Sequence, residues 1–213
     1  MLSHYRRDAQ KGDTIIEVLL AVTVFSLIVV SALVLMNQGI ATSQRALEIS
    51  LARQQVDGQA ETLRFLHGSY VKAYQAGSTT YDDAAGEYAR IVALSKASRD
   101  GGVTSVSEFG TVPCNAPPVN SFVLNTRQGV LIDTSTIFQA PQSSPMLLYA
   151  DDGTATASQG VWIEALRSTE SNPDAAQLRI GYIDFHIRAC WDAPGLSEPF
   201  NVGTIVRLYE PRG

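Results

Sequence analysis

The side chain whose type and position most demand a chemical explanation is a carboxylate. Glu17 is the only charge in the apolar run from Ile15 to Met36, 22 residues that begin within the stretch "KGDTIIEVLLAVTVFSLIVV". As a helix the run is about 33 Å long, enough to cross a hydrocarbon core of about 30 Å. A carboxylate in such a segment costs about 2.5–3.5 kcal/mol on insertion scales, and less near an end where it reaches the interface. A charge in that setting calls for a partner of opposite sign.

Other chemistry-bearing residues are sparse. The three histidines, His4, His67 and His186, are far apart, and no HExxH, CxxC, GxSxG, phosphate-loop or GxGxxG pattern occurs. No metal, no cofactor and no catalytic constellation is expected, so the chain reads as a non-enzyme. His186, between Asp184 and Arg188, reads as part of a solvated strand face. Asp151–Asp152–Gly153 reads as a turn, because it lacks the alternating acidic ligands of a calcium loop. Trp162 and Trp191 read as core.

Charge is unevenly placed. Arg6, Arg7 and Lys11 against Asp8 give the first 12 residues a net +2, leaving −7 for the rest of a chain whose formal charge is −5. Basic residues just before an apolar run hold that end in the cytoplasm, which puts everything after Met36 outside. The exported portion is acidic, so it offers no support for nucleic-acid binding. Cys114 and Cys190 both fall in it, and an oxidising compartment favours their pairing. The bridge would close a loop of about 75 residues, worth about 4 kcal/mol in the chain-entropy model.

These residues need elements to position them. No proline occurs before Pro113, and the apolar run is followed by "NQGIATSQRALEISLARQQVDGQAETLRFLHG". One continuous helix from about Thr14 to about His67 is the economical reading, apolar all round at first and amphipathic later. Ile40, Leu47, Leu51, Phe65 and Leu66 are expected on its buried face. Arg45, Glu48, Arg53 and Glu61 are expected in solvent, with Arg53 and Asp57 spaced to pair. Thr80 and Asp83 resemble a capping box opening a helix over 82–98. Ser121–Asn125 and Gly129–Asp133 read as a hairpin, and "MLLYA" and "GVWIEAL" as strands around a turn-rich "DDGTATASQ". The strand over 178–191 alternates Ile183, Phe185, Ile187, Ala189 and Trp191 with Tyr182, Asp184, His186 and Arg188. "GTIVRLYE" pairs with it, and the second half of the long helix covers the apolar face. The fold expected is α+β, a long N-terminal helix packed against a C-terminal antiparallel sheet.

Gly12 followed by "DTIIEVLLA", with Lys11 before it, resembles the class III signal of type IV pilins and pseudopilins. The close resemblance covers Lys11–Ile40, and the amphipathic helix extends it to about residue 67. It implies a leader over residues 1–12, cut between Gly12 and Asp13 by a membrane-embedded prepilin peptidase. A helix over 13–67 with a membrane segment at 15–36 would follow, and then a head over 68–213. The new N-terminus, Asp13, would be methylated, and its amine in a neighbouring subunit would be the partner of Glu17. Two residues depart from the family pattern. Asp13 stands where an apolar residue is usual and can compete with Glu17 for the amine. No proline interrupts Ile15–Met36, which favours a minor subunit.

The resemblance implies a structural subunit of a type IV pilus or related filament, such as that of a type II secretion-like machine. Its partners would be other pilin subunits, a membrane assembly platform and a motor ATPase. It would begin as a single-pass protein of the cytoplasmic membrane with its N-terminus inside, and end in an extracellular filament or at the cell surface. The competing reading is a membrane-anchored extracytoplasmic binding domain or enzyme that does not polymerise.

Overall fold

The computed structural model describes residues 13–97, 114–141, 144–167, 181–193 and 198–211. The leader expected over 1–12 lies outside the described residues, as do residues 178–180 of the expected strand and residue 98 of the expected short helix. The chain divides into two units, Met1–Ala46 and Leu47–Gly213.

Helix α1 runs unbroken over Asp13–Gln75, eight residues past the expected end at His67. Its stop is encoded at Gly77, which takes φ +76. The Gly77 N–H donates to the Tyr74 carbonyl (3.0 Å) and the Ser78 N–H to the Ala73 carbonyl (3.1 Å), closing the helix with the paired bonds of a Schellman cap. The shorter expectation overlooked that glycine. In the first unit the described residues are all helix, Asp13–Ala46.

In the second unit, the α1 residues from Leu47 onward pack against an α+β head. Helix α2 spans Asp83–Ala97, and Asp83 sits at φ +49, so the expected Thr80–Asp83 capping box does not describe its start. The main sheet has five strands in the order β2-β1-β6-β7-β8, antiparallel throughout. These are β1 Phe122–Asn125, β2 Val130–Asp133, β6 Val161–Arg167, β7 Tyr182–Trp191 and β8 Phe200–Tyr209. A one-turn helix α3 (Thr134–Ile137) leads into a second sheet, β3 (Phe138–Gln139), β4 (Met146–Tyr149) and β5 (Ala155–Gln159), in the order β3-β5-β4. Strand β5 lies inside "DDGTATASQ", which the sequence alone presented as turn. The chain passes from β5 to β6 through Gly160 at φ +63, where any Cβ would run into the Cys190 carbonyl.

The main core joins α1, α2 and one face of the five-stranded sheet. Ala52, Val56, Ala60, Leu63 and Leu66 of α1 meet Tyr88 and Ile91 of α2 and Phe122, Leu124, Ile163, Ile183, Phe185, Ile187 and Trp191 of the sheet. Of the five residues expected on the buried helix face only Leu66 is buried; Ile40, Leu47, Leu51 and Phe65 are exposed. Small side chains let the helix backbone approach the sheet, so the contacting stripe is marked by Ala52 and Ala60 more than by the largest hydrophobics.

Candidate functional site

The first unit presents a helix built for an apolar solvent. Ile15, Leu19, Phe25, Leu27, Leu33 and Leu35 are among the many large side chains it exposes. The hydroxyls within its apolar run, Ile15–Met36, are satisfied internally. The Thr23 hydroxyl donates to the Leu20 carbonyl (2.8 Å), Ser26 to Val22 (2.7 Å) and Ser31 to Leu27 (2.7 Å). With these bonds made, no hydroxyl in the stretch asks for water, which is what a hydrocarbon environment requires. The helix is long and apolar enough to cross a membrane.

Glu17 is exposed on that helix, two residues into the apolar run. A carboxylate has no donor of its own when ionised, so back-bonding to a helix carbonyl, the route open to Thr23, Ser26 and Ser31, is closed to it. Asp13 is the first described helical residue, four before Glu17. Gly12 lies outside the described residues.

In the second unit, α1 shows two different faces. The stripe of Ala52, Val56, Gln59, Ala60, Leu63 and Leu66 is buried, whereas Leu47 is 60% exposed, Leu51 40% and Phe65 62%. At 100° per residue, Leu47, Leu51 and Phe65 fall in line with Gly58, on the flank of the helix away from the centre of the buried stripe. Phe65 also borders a cleft of about 630 Å³ lined by Tyr81, Asp82, Asp83, Glu87 and Arg90. Among the described residues Arg53 and Asp57 do not pair, whereas Glu61 and Arg64 form an ion pair on the helix. Glu48, expected in solvent, is half-buried and accepts the Trp191 indole N–H (3.2 Å).

Gln59 is a functional residue of the fold that the sequence reading passed over. β1 pairs with β6 only at Phe122↔Ile163, which leaves the next backbone groups on that side without a strand. The Gln59 amide fills the gap, accepting from the Leu124 N–H and donating to the Leu124 carbonyl, both at 2.8 Å. A lone polar residue on the Ala52–Leu66 stripe was the available signal.

Cys114 and Cys190 are joined in a disulfide, with Cα atoms 5.3 Å apart. The bridge is buried against Trp162 and Phe138, and it ties the segment before β1 to β7. The same side of the sheet corrects another expectation. Asp184, His186 and Arg188 were expected on a solvated face, yet His186 and Arg188 are buried. Arg188 pairs with Glu164 at 3.3 Å, and the Trp162 indole donates to the same carboxylate at 3.3 Å. Helix α3, the small sheet, of which only the "MLLYA" strand was expected, and the Cys114 segment pack on this face through Val123, Leu147, Val161 and Trp162. Desolvation of both charges offsets much of the attraction in a buried ion pair of this kind, so its net contribution to stability is small.

Asp151–Asp152–Gly153 forms a turn in which the Asp152 carboxylate accepts the Thr154 N–H (2.8 Å). That bond holds the carboxyl below its usual pKa. Among the described residues no three His, Cys, Asp or Glu side chains gather as a metal site would require. Trp162 and Trp191 are core residues. Taken with these features, the long apolar helix and the disulfide-bonded α+β head fit a pilin-like or membrane-anchored protein. No protein-family profile, no curated protein and no solved structure matches the chain.

Proposed function

We propose that this chain is a structural subunit, minor rather than principal, of a type IV pilus or related filament. The observation that carries the reading is the first-unit helix. Its run from Ile15 to Met36 is apolar and exposed along its length, the hydroxyls in that run are internally bonded, and the run's single carboxylate, Glu17, sits near its start. A plain anchor has no use for that carboxylate, whereas a polymerising helix does.

In this reading a prepilin peptidase cuts between Gly12 and Asp13, freeing an amine on Asp13 that is then methylated. The chain waits in the cytoplasmic membrane with its N-terminus inside. A motor ATPase, acting through an assembly platform, lifts it into a filament where helices of neighbouring subunits pack together. Glu17 meets the Asp13 amine of a neighbour. Each charge alone is costly in hydrocarbon and the pair offsets much of that cost, so correct register is rewarded and wrong register penalised. The exposed Leu47, Leu51 and Phe65 would extend the helix contact beyond the bilayer, where burying apolar area contributes about 25 cal/mol per Å².

The test is Glu17→Leu. The variant should enter the membrane as well as the parent, since it removes the costly group. Its incorporation into sheared filaments should fall at least tenfold, about 1.4 kcal/mol of lost register preference. Equal incorporation would overturn the charge-pair mechanism.

A further inference from the structure

The five-stranded sheet ends differently on its two sides. At the β2 edge the Leu131 N–H is taken by the Glu87 carboxylate at 2.9 Å, and the chain leaves the sheet at Asp133 to form α3. Among the described residues the β8 edge has no such cover. β8 pairs with β7 through ten consecutive residues, Tyr182↔Tyr209 to Trp191↔Phe200, without a bulge. The Glu210 N–H donates to the Gly181 carbonyl, which fixes the phase of the ladder. Even-numbered residues of β8 therefore bond to β7, and odd-numbered ones turn their N–H and C=O outward.

The outward carbonyl of Tyr209 is bonded to the His67 ring Nε2 at 2.8 Å. Among the described residues no hydrogen bond reaches the outward groups of Asn201, Gly203, Ile205 or Arg207. Gly203, Ile205 and Arg207 are exposed. The usual devices that blunt an edge are missing, for the strand contains no proline, no lysine and no bulge. Its one charge does not guard the edge either. Arg207 is drawn back over the sheet, bonded twice to Asp184 of β7 at 2.7 Å and stacked on the Tyr182 ring.

We propose that β8 is a docking edge for a second copy of this chain, whose own β8 runs antiparallel to it across a twofold axis and joins two sheets into one of ten strands. Self-pairing is what the strand fits. One antiparallel register engages all four free residues of each copy and leaves Tyr209 to His67. It pairs Asn201 with Arg207 and Gly203 with Ile205, and centres on Thr204. On the face that carries Val206 and Leu208, Phe200 then lies opposite Leu208, Val202 opposite Val206, and Thr204 opposite itself. β-Branched, aromatic and Thr–Thr pairs are the ones that stabilise sheets. On the other face Arg207 meets neutral Asn201, so no like charges oppose each other. The interface is isologous, as most closed dimers are. This inference does not depend on the filament reading.

The test is a cysteine at the symmetry centre of the full-length chain in membranes. Thr204 faces its copy in a non-hydrogen-bonded pair, whose Cα separation of about 4.5 Å lies within disulfide range. Under mild oxidation Thr204→Cys should give at least about tenfold more linked dimer than Thr156→Cys, an exposed position on β5. Adding Ile205→Pro deletes an outward N–H and spares the ladder to β7, a change edge strands tolerate. It should return the yield to the Thr156→Cys level while the head melts as before. Three results would each overturn the proposal: a Thr204→Cys yield no higher than the control, dimer that persists with Ile205→Pro in a folded head, or cross-linking to a different protein.

Discussion

One helix in this protein obeys two opposite rules. Along Thr14–Ala46 its large apolar side chains are exposed on every side, and Leu27 is 68% exposed. From Leu47 onward a narrow stripe is buried, and Leu63 is inaccessible to solvent. The backbone is the same and the hydrogen-bonding pattern is the same. What differs is where each segment's apolar surface is satisfied. The later segment finds its partners within its own chain, in α2 and the sheet. The earlier one carries surface that an aqueous monomer could not keep exposed, so its partners are a membrane or other molecules.

The sharpest way to break that comparison is to truncate one leucine in each segment. Leu63→Ala should destabilise the head by about 3–5 kcal/mol, the cost of a buried leucine that leaves a cavity. Leu27→Ala should leave head stability within about 0.5 kcal/mol of the parent. Urea melts followed by tryptophan emission read the head alone, because Trp162 and Trp191 both lie there. A comparable loss from Leu27→Ala would mean that the two segments are not energetically separate.

A comparable effect is expected from Gln59→Leu. The change keeps the volume and removes both bonds to Leu124. Two buried backbone groups would be orphaned at about 1–3 kcal/mol each, so a loss of about 2–6 kcal/mol is expected in the same melts. An unchanged melt would show that another group, or water, closes the gap in the ladder.

The smallest effect concerns pH. Burial, and then the Arg188 guanidinium, hold the His186 imidazole below its ordinary pKa of 6.5, against a weaker opposite pull from Glu164 and Asp184. The unfolded chain therefore takes up the proton more readily than the folded one. Head stability should be full above about pH 6.5 and decline as pH falls through that value towards the folded pKa. His186→Gln should flatten this part of the profile, read as melting temperature against pH. A decline of the same depth in the variant would assign it to other groups.

The parts of the molecule that could be read from sequence are those whose signal is local and repetitive. The apolar run, the absence of proline before Pro113, the β1–β2 hairpin and the alternation from Ile183 to Trp191 all belong to that class. The buried face of α1 was misread because hydropathy rewards Leu47, Leu51 and Phe65, whereas close packing on a sheet rewards Ala52 and Ala60. The burial of His186 and Arg188 was invisible for a different reason. It depends on α3, the small sheet and the Cys114 segment arriving from far along the chain, and β5 itself hid among turn-forming residues. Gln59 needs the strand divergence it repairs to be understood at all. Glu17 could be singled out at once, but among the described residues no side chain pairs with it, so its proposed role rests on the resemblance and on the cost of an isolated charge.

The proposed function makes this chain a processed, polymerising subunit rather than a plain anchored domain. The most direct test is intact-mass and N-terminal peptide mass spectrometry of the protein from its native membrane or from sheared filaments. A chain beginning at Asp13, with its amine methylated, is the expected result. A Met1–Gly12 segment still attached in cells with active prepilin peptidase would contradict it, as would a cut after Ala41 or another small residue beyond the apolar run.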